Sequence, residues 1–446
     1  MKLASSAQIN HPDKKIWAIA GPAIVANSST PMVGLVDTWV IGHMPSAVHL
    51  AAVGVGAAIF SFLFWAFGFL RMSTTGLVAQ AHGRSDNDQV ARTIFRSAFL
   101  GLMLAGLMLS MQVFILKFGM AALAPPNSTI PLISDYFAIR IWSAPAVLFV
   151  YSLSGYLIGT QQAKAALWLQ LLLNVSNAGL NLIFVLGFDM GVSGIALGSL
   201  IAEWLAAAFG FYLLIKALGL PVLTKALQDK TTWHMVRMKK LLSTNGYIFA
   251  RTLILITALA LITRESAKLG EAALAATQIL NIFVLLISLG LDGFAFAAEA
   301  LAGAAYGKNS RSEFRFWVVR TSLWAGAAAV LYTLIFSFFG QNIVNILTNI
   351  EPVRQVADDA LLIVAIMPIF AVWGYQFDGI FIGATEGRGM LITMIVAFII
   401  YVLVLDYLTE AKGLQGLWIA IVIFMTMRGF SQALYYPWIE KRLAKP

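Results

Sequence analysis

The sequence predicts an all-α polytopic membrane protein of about twelve transmembrane helices, built as two parallel six-helix repeats. Three observations predict it: an apolar composition, apolar runs of membrane-spanning length, and an internal match at one constant offset. Of the 446 residues, 60% are hydrophobic and 11% are charged, against about 25% charged in ordinary soluble domains. A soluble fold this apolar could not cover its own surface. The polar residues gather in short gaps between apolar runs of about 20 residues or more, the length a helix needs to cross roughly 30 Å of hydrocarbon.

The predicted spans are 16–41, 50–82, 93–117, 132–159, 165–187, 193–216, 241–263, 273–305, 316–340, 358–383, 390–408 and 414–438. The first is too long for a signal-peptide core and lacks a small-residue cleavage pattern, so it reads as an uncleaved membrane helix. With the N-terminus inside, the cytoplasmic segments hold 21 basic residues: Lys2, Lys14, Lys15, Arg84, Arg92, Arg96, Lys164, Lys216, Lys225, Lys230, Arg237, Lys239, Lys240, Lys308, Arg311, Arg315, Arg320, Arg388, Lys441, Arg442 and Lys445. The opposite side holds five, Lys117, Arg264, Lys268, Arg354 and Lys412. The positive-inside rule therefore predicts both termini in the cytoplasm. It also explains the net charge of +9 without nucleic acid as a partner.

At an offset of 224 residues, 49–97 meets 273–321 without a gap. Leu50-Ala51-Ala52 falls on Leu274-Ala275-Ala276, Ala81-His82-Gly83-Arg84 on Ala305-Tyr306-Gly307-Lys308, and Arg96 on Arg320. The same offset carries Tyr151 onto Tyr375, Gly155 onto Gly379 and Gly159 onto Gly383. Six helices per repeat is an even number, so both copies enter from the same side. The expected organisation is an N-terminal lobe at 1–216, a basic cytoplasmic linker at 217–240 and a C-terminal lobe at 241–446. A substrate site is expected where such halves meet near mid-depth. The paired Gly-x-x-x-Gly strings would let helices approach closely.

Ionisable groups at membrane depth are costly and point to function. Here they are Asp37, Arg71, Arg140, Glu203, Arg251, Asp292, Glu299, Asp378, Asp406 and Arg428. Asp37 has no basic residue near it in sequence, and Pro22 and Pro31 on the same span each remove a backbone hydrogen bond and can let it bend. Two readings stand: a proton-coupling carboxyl, or a carboxyl satisfied by neighbours in a static bundle. On the fifth span Asn174, Asn177 and Asn181 share one face, either holding helices together or hydrating a pocket around Asp37. In the second half Asp292, Glu299 and Asp378 with Arg251 read as an ion-pair network, with a second cation site as the alternative.

Enzyme motifs are missing. There is no Walker A loop and no His-Glu-x-x-His, and the five histidines have no metal-ligand spacing. With no cysteine in the chain, disulfides and thiolate metal sites are excluded. Neither an enzyme nor a cofactor or metal is expected.

Four strings then carry a resemblance: GLVDTWVIG (34–42), FLRMSTTGLVAQA (69–81), LDGFAFAAEA with the following AYG (291–300, 305–307), and YQFDGIFIGAT (375–385). They resemble the multidrug and toxic compound extrusion (MATE) family, and within it the DinF-like branch, over nearly the whole chain. The resemblance implies a V-shaped two-lobe transporter of the bacterial inner membrane, acting as a monomer. It would exchange protons, or less favourably sodium, for amphiphilic or cationic organic compounds. The family's first-helix acid falls on Asp37 and its polar partners on Asn177 and Asn181. Relatives commonly carry an acid where Asn181 stands, which argues here for one titrating group in that pocket and hence for protons. The alternatives are a flippase of lipid-linked sugars, disfavoured by the few mid-depth arginines, and a membrane transferase, disfavoured by the lack of clustered acids or a catalytic histidine.

Overall fold

The computed structural model describes residues 11–42 and 46–443. Lys2, Lys445 and the side chain of Lys240, all counted in the charge balance, lie outside the described residues, as does His43. The described residues contain helices and turns and no strand. Twelve long apolar helices run as α1 Pro12–Gly42, α2 Ala47–Gly83, α3 Asn87–Ser110, α4 Asn127–Gly159, α5 Ala163–Gly187, α6 Gly191–Leu218, α7 Met235–Lys268, α8 Glu271–Gly307, α9 Arg311–Leu347 and α10 Glu351–Gly383, then α11 and α12. The last two form one helical stretch, Gly387–Lys441, divided at Gly413, whose φ of 57° and ψ of −133° break the helix. We take α11 as 387–412 and α12 as 414–441. The twelve correspond one for one to the predicted spans.

Local chemistry sets where these helices start. Ser46 accepts the Val48 amide at 3.2 Å to open α2, and Asp86 accepts the Gln89 amide at 2.8 Å to open α3. Ser310 accepts the Glu313 amide at 3.4 Å in a Ser-x-x-Glu string, opening α9. Such side-chain acceptors satisfy amides that have no partner within the helix.

The internal repeat is visible in the backbone. Ser85 and Asn309, 224 positions apart, both turn left-handed at φ 57°, and Gln161 and Thr385, at the same offset, do so at φ 62° and 56°. Each pair lies in the tight turn that follows a helix and precedes the next. The glycine pairs repeat as well. A Cβ on Gly155 would stand 2.6 Å from the Arg71 carbonyl oxygen, and one on Gly379 would stand 2.4 Å from that of Ala295. Gly159 meets the Thr75 carbonyl and Gly383 that of Glu299, each at 2.8 Å. Both α2–α4 and α8–α10 are thus packed backbone to backbone, which only glycine permits. The Tyr151 hydroxyl donates to the Phe64 carbonyl at 3.2 Å, and its counterpart Tyr375 meets Ser288, the residue equivalent to Phe64, at 2.6 Å.

The chain forms two compact units, one of residues 25–242 and the other of residues 243–446 together with the start of α1 up to Ile24. The six-plus-six division assigns all of α1 to the first lobe. Instead its first half packs with the C-terminal helices, because Trp17 meets Phe294 and Trp324 edge to face at 5.4 and 5.3 Å. Asp13 adds a two-point ion pair to Arg320, at 2.9 and 2.7 Å, and accepts the Trp324 indole N–H at 2.9 Å. The boundary at Ile24 falls between Pro22 and Pro31, yet α1 is helical through both.

The basic linker is ordered too. Its helix, Leu220–Gln228, and the turn after it belong to the first unit and are pinned to α3. Lys225 reaches Asp88 at 2.8 Å and Arg92 reaches Asp229 at 2.9 Å. In that turn the Thr231 amide donates to Asp229 at 2.8 Å, which holds the Asp229 carboxyl below the usual carboxylate range.

Candidate functional site

The sequence-predicted polar pocket assembles inside the first unit. α5 carries Asn174, Asn177 and Asn181 on one face and ends in a π-helical turn, Ile183–Gly187, a distortion that often marks functional sites. Asn181 is fully buried. Its Nδ2 donates to Asp37 Oδ1 at 2.7 Å and to Asn177 Oδ1 at 3.1 Å. Asn177 in turn donates to the Ser199 hydroxyl on α6 at 2.8 Å. The result is a chain in which Asn181 donates in both directions, to the carboxyl of Asp37 at one end and through Asn177 toward Ser199 at the other. Asn181 Oδ1 is buried and has no hydrogen-bond partner among the described residues. It rests over Gly198 of α6, where a Cβ would stand only 2.2 Å away. The third asparagine points to a different part of α1: Asn174 donates to Ser29 at 2.6 Å and accepts from Gln170 at 3.1 Å.

Asp37 is less isolated than its sequence neighbourhood suggests. Arg140 of α4 lies within electrostatic reach of it. The Arg140 guanidinium is engaged elsewhere, by Glu203 at 3.2 Å and Ser143 at 2.9 Å, and it lies 5.8 and 5.7 Å from the ring centres of Phe60 and Phe64. The isolation expected from sequence therefore holds for direct pairing and fails for the longer-range field.

In the second unit one carboxylate organises the charged residues. Asp378 of α10 pairs with Arg251 of α7 and with Arg428 of α12, the latter at 2.9 Å, and accepts from Gln432 at 2.7 Å. Both arginines are buried, at 4% and 3% exposure, so neither charge is solvated and each depends on this partner. Arg428 also lies 5.8 and 5.9 Å from the Tyr375 and Phe424 ring centres. Asp292 acts electrostatically on Arg251, and Glu299 is buried on the same helix at 1% exposure. The centre of the network is thus Asp378 between two arginines. The same unit holds, between α1, α8 and α9, an apolar recess of about 350 Å³ lined by Trp17, Phe294, Trp324, Leu331 and Tyr332.

Sequence reasoning missed Ser199, Ser29, Gln432 and Gly198. Gln432 could have been found as an amide at membrane depth. The serines and the glycine carry no signal of their own, because small residues are common throughout membrane helices.

A twelve-helix membrane protein with a carboxyl–amide chain in one unit and a paired buried network in the other is, by class, a membrane transporter rather than an enzyme. The comparisons with known proteins say which family. The MatE family model matches residues 22–183 and again 248–408, two copies in keeping with the internal repeat, and the chain belongs to that family of membrane transporters. It is 35% identical over 436 residues to DNA damage-inducible protein F of Escherichia coli, covering 97% of this chain and 94% of that one. Protein DETOXIFICATION 44, chloroplastic, of Arabidopsis thaliana is 29% identical, covering 93% and 80%. Multidrug resistance protein MdtK of Photorhabdus laumondii is 23% identical, covering 96% of each. Among solved structures, a MATE transporter in the bent conformation matches with a TM-score of 0.87 at 20% identity, covering 97% and 96%. An outward-facing multidrug resistance MATE transporter matches at 0.84 and 19%, covering the same shares. These two support the fold.

Proposed function

We propose that the protein is a proton-coupled antiporter that extrudes amphiphilic or cationic organic compounds across the bacterial inner membrane, as a monomer with both termini in the cytoplasm. The observation that carries this reading is the single carboxyl of Asp37 at the end of the Asn181–Asn177–Ser199 chain. Its membrane-depth neighbours on that chain are neutral, so gain or loss of one proton is the only charge change these groups can make. Protonation takes the charge off the acceptor that Asn181 faces and gives Asp37 an O–H donor of its own, which changes the hydrogen bonding between α1, α5 and α6. That change couples proton binding to the shape of the pocket. The names of two relatives, multidrug resistance and DETOXIFICATION proteins, fit the substrate class.

Protons are favoured over sodium because sodium seeks several oxygen ligands, and Asn181 offers Asp37 its nitrogen instead. A flippase of lipid-linked sugars would need unpaired arginines to hold phosphates at mid-depth. Arg251 and Arg428 are committed to Asp378, and Arg140 to Glu203. The energetics suffice: about 150 mV supplies roughly 3.5 kcal/mol per charge moved, although an electroneutral one-for-one exchange would draw on the pH gradient alone.

The test compares the wild type with Asp37→Asn in proteoliposomes loaded with ethidium. Asparagine is nearly isosteric with a protonated aspartate and cannot release the proton. Wild-type efflux should follow an imposed pH gradient and ignore a sodium gradient. Asp37→Asn should fold, bind ethidium without pH dependence between pH 5 and 9, and fail to pump uphill. Uphill efflux by Asp37→Asn at near the wild-type rate would remove Asp37 from the mechanism.

A further inference from the structure

A charged cavity lies in the first unit, away from Asp37, at the end of the bundle that carries most of the basic residues. It has a volume of about 470 Å³ and is lined by Gln80 and Arg84 at the end of α2, Asp86, Gln89 and Arg96 at the start of α3, and Arg237 at the start of α7. Its charges do not balance. The acids nearby on α3 and the linker, Asp88 and Asp229, are taken by Lys225 and Arg92. Asp86 accepts the amide that opens α3, and its one negative charge does not offset three arginines. Arg84, Arg96 and Arg237 have no carboxylate partner among the described residues.

Arg96 makes the imbalance most acute. It is 4% exposed, and it donates to two neutral carbonyl oxygens, Thr232 at 2.6 Å through Nε and Thr231 at 2.9 Å through Nη2. Carbonyls satisfy its hydrogen bonds without cancelling its charge. The fields of Arg237 and Arg92 also act on it, against further positive charge, and that of Asp229 opposes them. Arg237 donates only to the neutral Gln89 side chain, at 2.7 Å. A buried guanidinium facing two others is stabilised by an anion, and a phosphate matches the forked donors of arginine.

We propose that this cavity binds a phosphate-bearing anion, in the membrane the headgroup of an acidic phospholipid. Basic pockets between helices on the cytoplasmic side suit such headgroups, and the volume is of ligand-binding size. The ligand ties the start of α7 to α2 and α3 and so fastens the linker turn to the first unit. The leaflet that supplies it follows from the proposed orientation; binding itself depends neither on that orientation nor on transport.

The experiment uses the full-length protein in a nonionic detergent and reads lipid binding by native mass spectrometry and by the shift in thermal unfolding. The probes are phosphatidylglycerol, phosphatidylcholine and inorganic phosphate. The test variant is Arg84→Gln with Arg237→Gln; both side chains are exposed, so the fold is not at risk. The control, Lys164→Gln with Lys216→Gln, removes the same charge at two exposed positions elsewhere. Phosphatidylglycerol should bind the test variant about tenfold more weakly than the wild type, the worth of one or two charge-assisted hydrogen bonds, and bind the control as it binds the wild type. Competition by inorganic phosphate would identify the phosphate group as sufficient; its absence would assign the site to the lipid headgroup. The proposal is overturned if phosphatidylcholine binds as well as phosphatidylglycerol, or if test and control variants lose binding equally.

Discussion

Asn181 and Asp37, 144 positions apart in the chain, are joined by a hydrogen bond of 2.7 Å in which the amide nitrogen faces the carboxyl. That direction matters. The same nitrogen also serves Asn177, so turning the amide over would break two bonds.

Replacing Asn181 separates its two roles. Asn181→Ala removes the donor from both Asp37 and Asn177 in a buried site and should cost about 1–3 kcal/mol of stability, together with loss of coupling. Asn181→Asp should keep the packing and set a second carboxylate against the first, a pair that a proton or a cation must bridge. Sodium gradients should then drive ethidium efflux in Asn181→Asp proteoliposomes. Indifference of that variant to sodium would mean that the pocket cannot be made a cation site by charge alone.

Gly198 tests the same geometry without touching a polar group. A methyl there meets Asn181 Oδ1 at 2.2 Å, so Gly198→Ala should displace the amide and reduce proton-driven efflux as Asn181→Ala does. Gly179→Ala on α5, where a Cβ meets nothing within 4 Å, should leave efflux unchanged. Equal rates in the two glycine variants would show that Asn181 tolerates displacement.

Asp378 should act mainly as a structural or gating group. Asp378→Asn leaves Arg251 and Arg428 buried without their counter-charge, at a cost of about 3–5 kcal/mol. Thermal unfolding and expression should fall together with transport. A fully stable Asp378→Asn protein that binds ethidium yet has lost coupling would move the coupling site to this unit.

The orientation can be read by labelling, because the chain has no cysteine of its own. Single cysteines at Lys230 and Ser128 should behave oppositely in intact cells: an impermeant maleimide should label Ser128→Cys and spare Lys230→Cys. Labelling of Lys230→Cys would invert the topology.

Much of the fold was readable because the signals that carry it are local. The hydrophobic length of each span follows from composition, and the repeat survives at positions where backbone geometry permits few residues, as at Gly155 and Gly379. The asparagine face of α5 was readable from helical spacing. Its division was not: Asn177 and Asn181 turn to Asp37 and Ser199, whereas Asn174 turns to Ser29.

The sequence by itself determined that this chain lives in a membrane, spans it about twelve times, repeats itself once and belongs among the MATE transporters. Those properties are set by stretches of residues summed along the chain, so no long-range geometry is needed to see them. Only the tertiary structure decided which charge meets which. It gave Arg140 to Glu203 instead of Asp37, set Asp378 between Arg251 and Arg428, fastened the linker to α3, and packed the first half of α1 with the C-terminal helices. Partners fifty or more residues apart are chosen by helix packing, and in a low-dielectric interior a shift of a few ångströms decides whether two charges pair or merely feel each other's field.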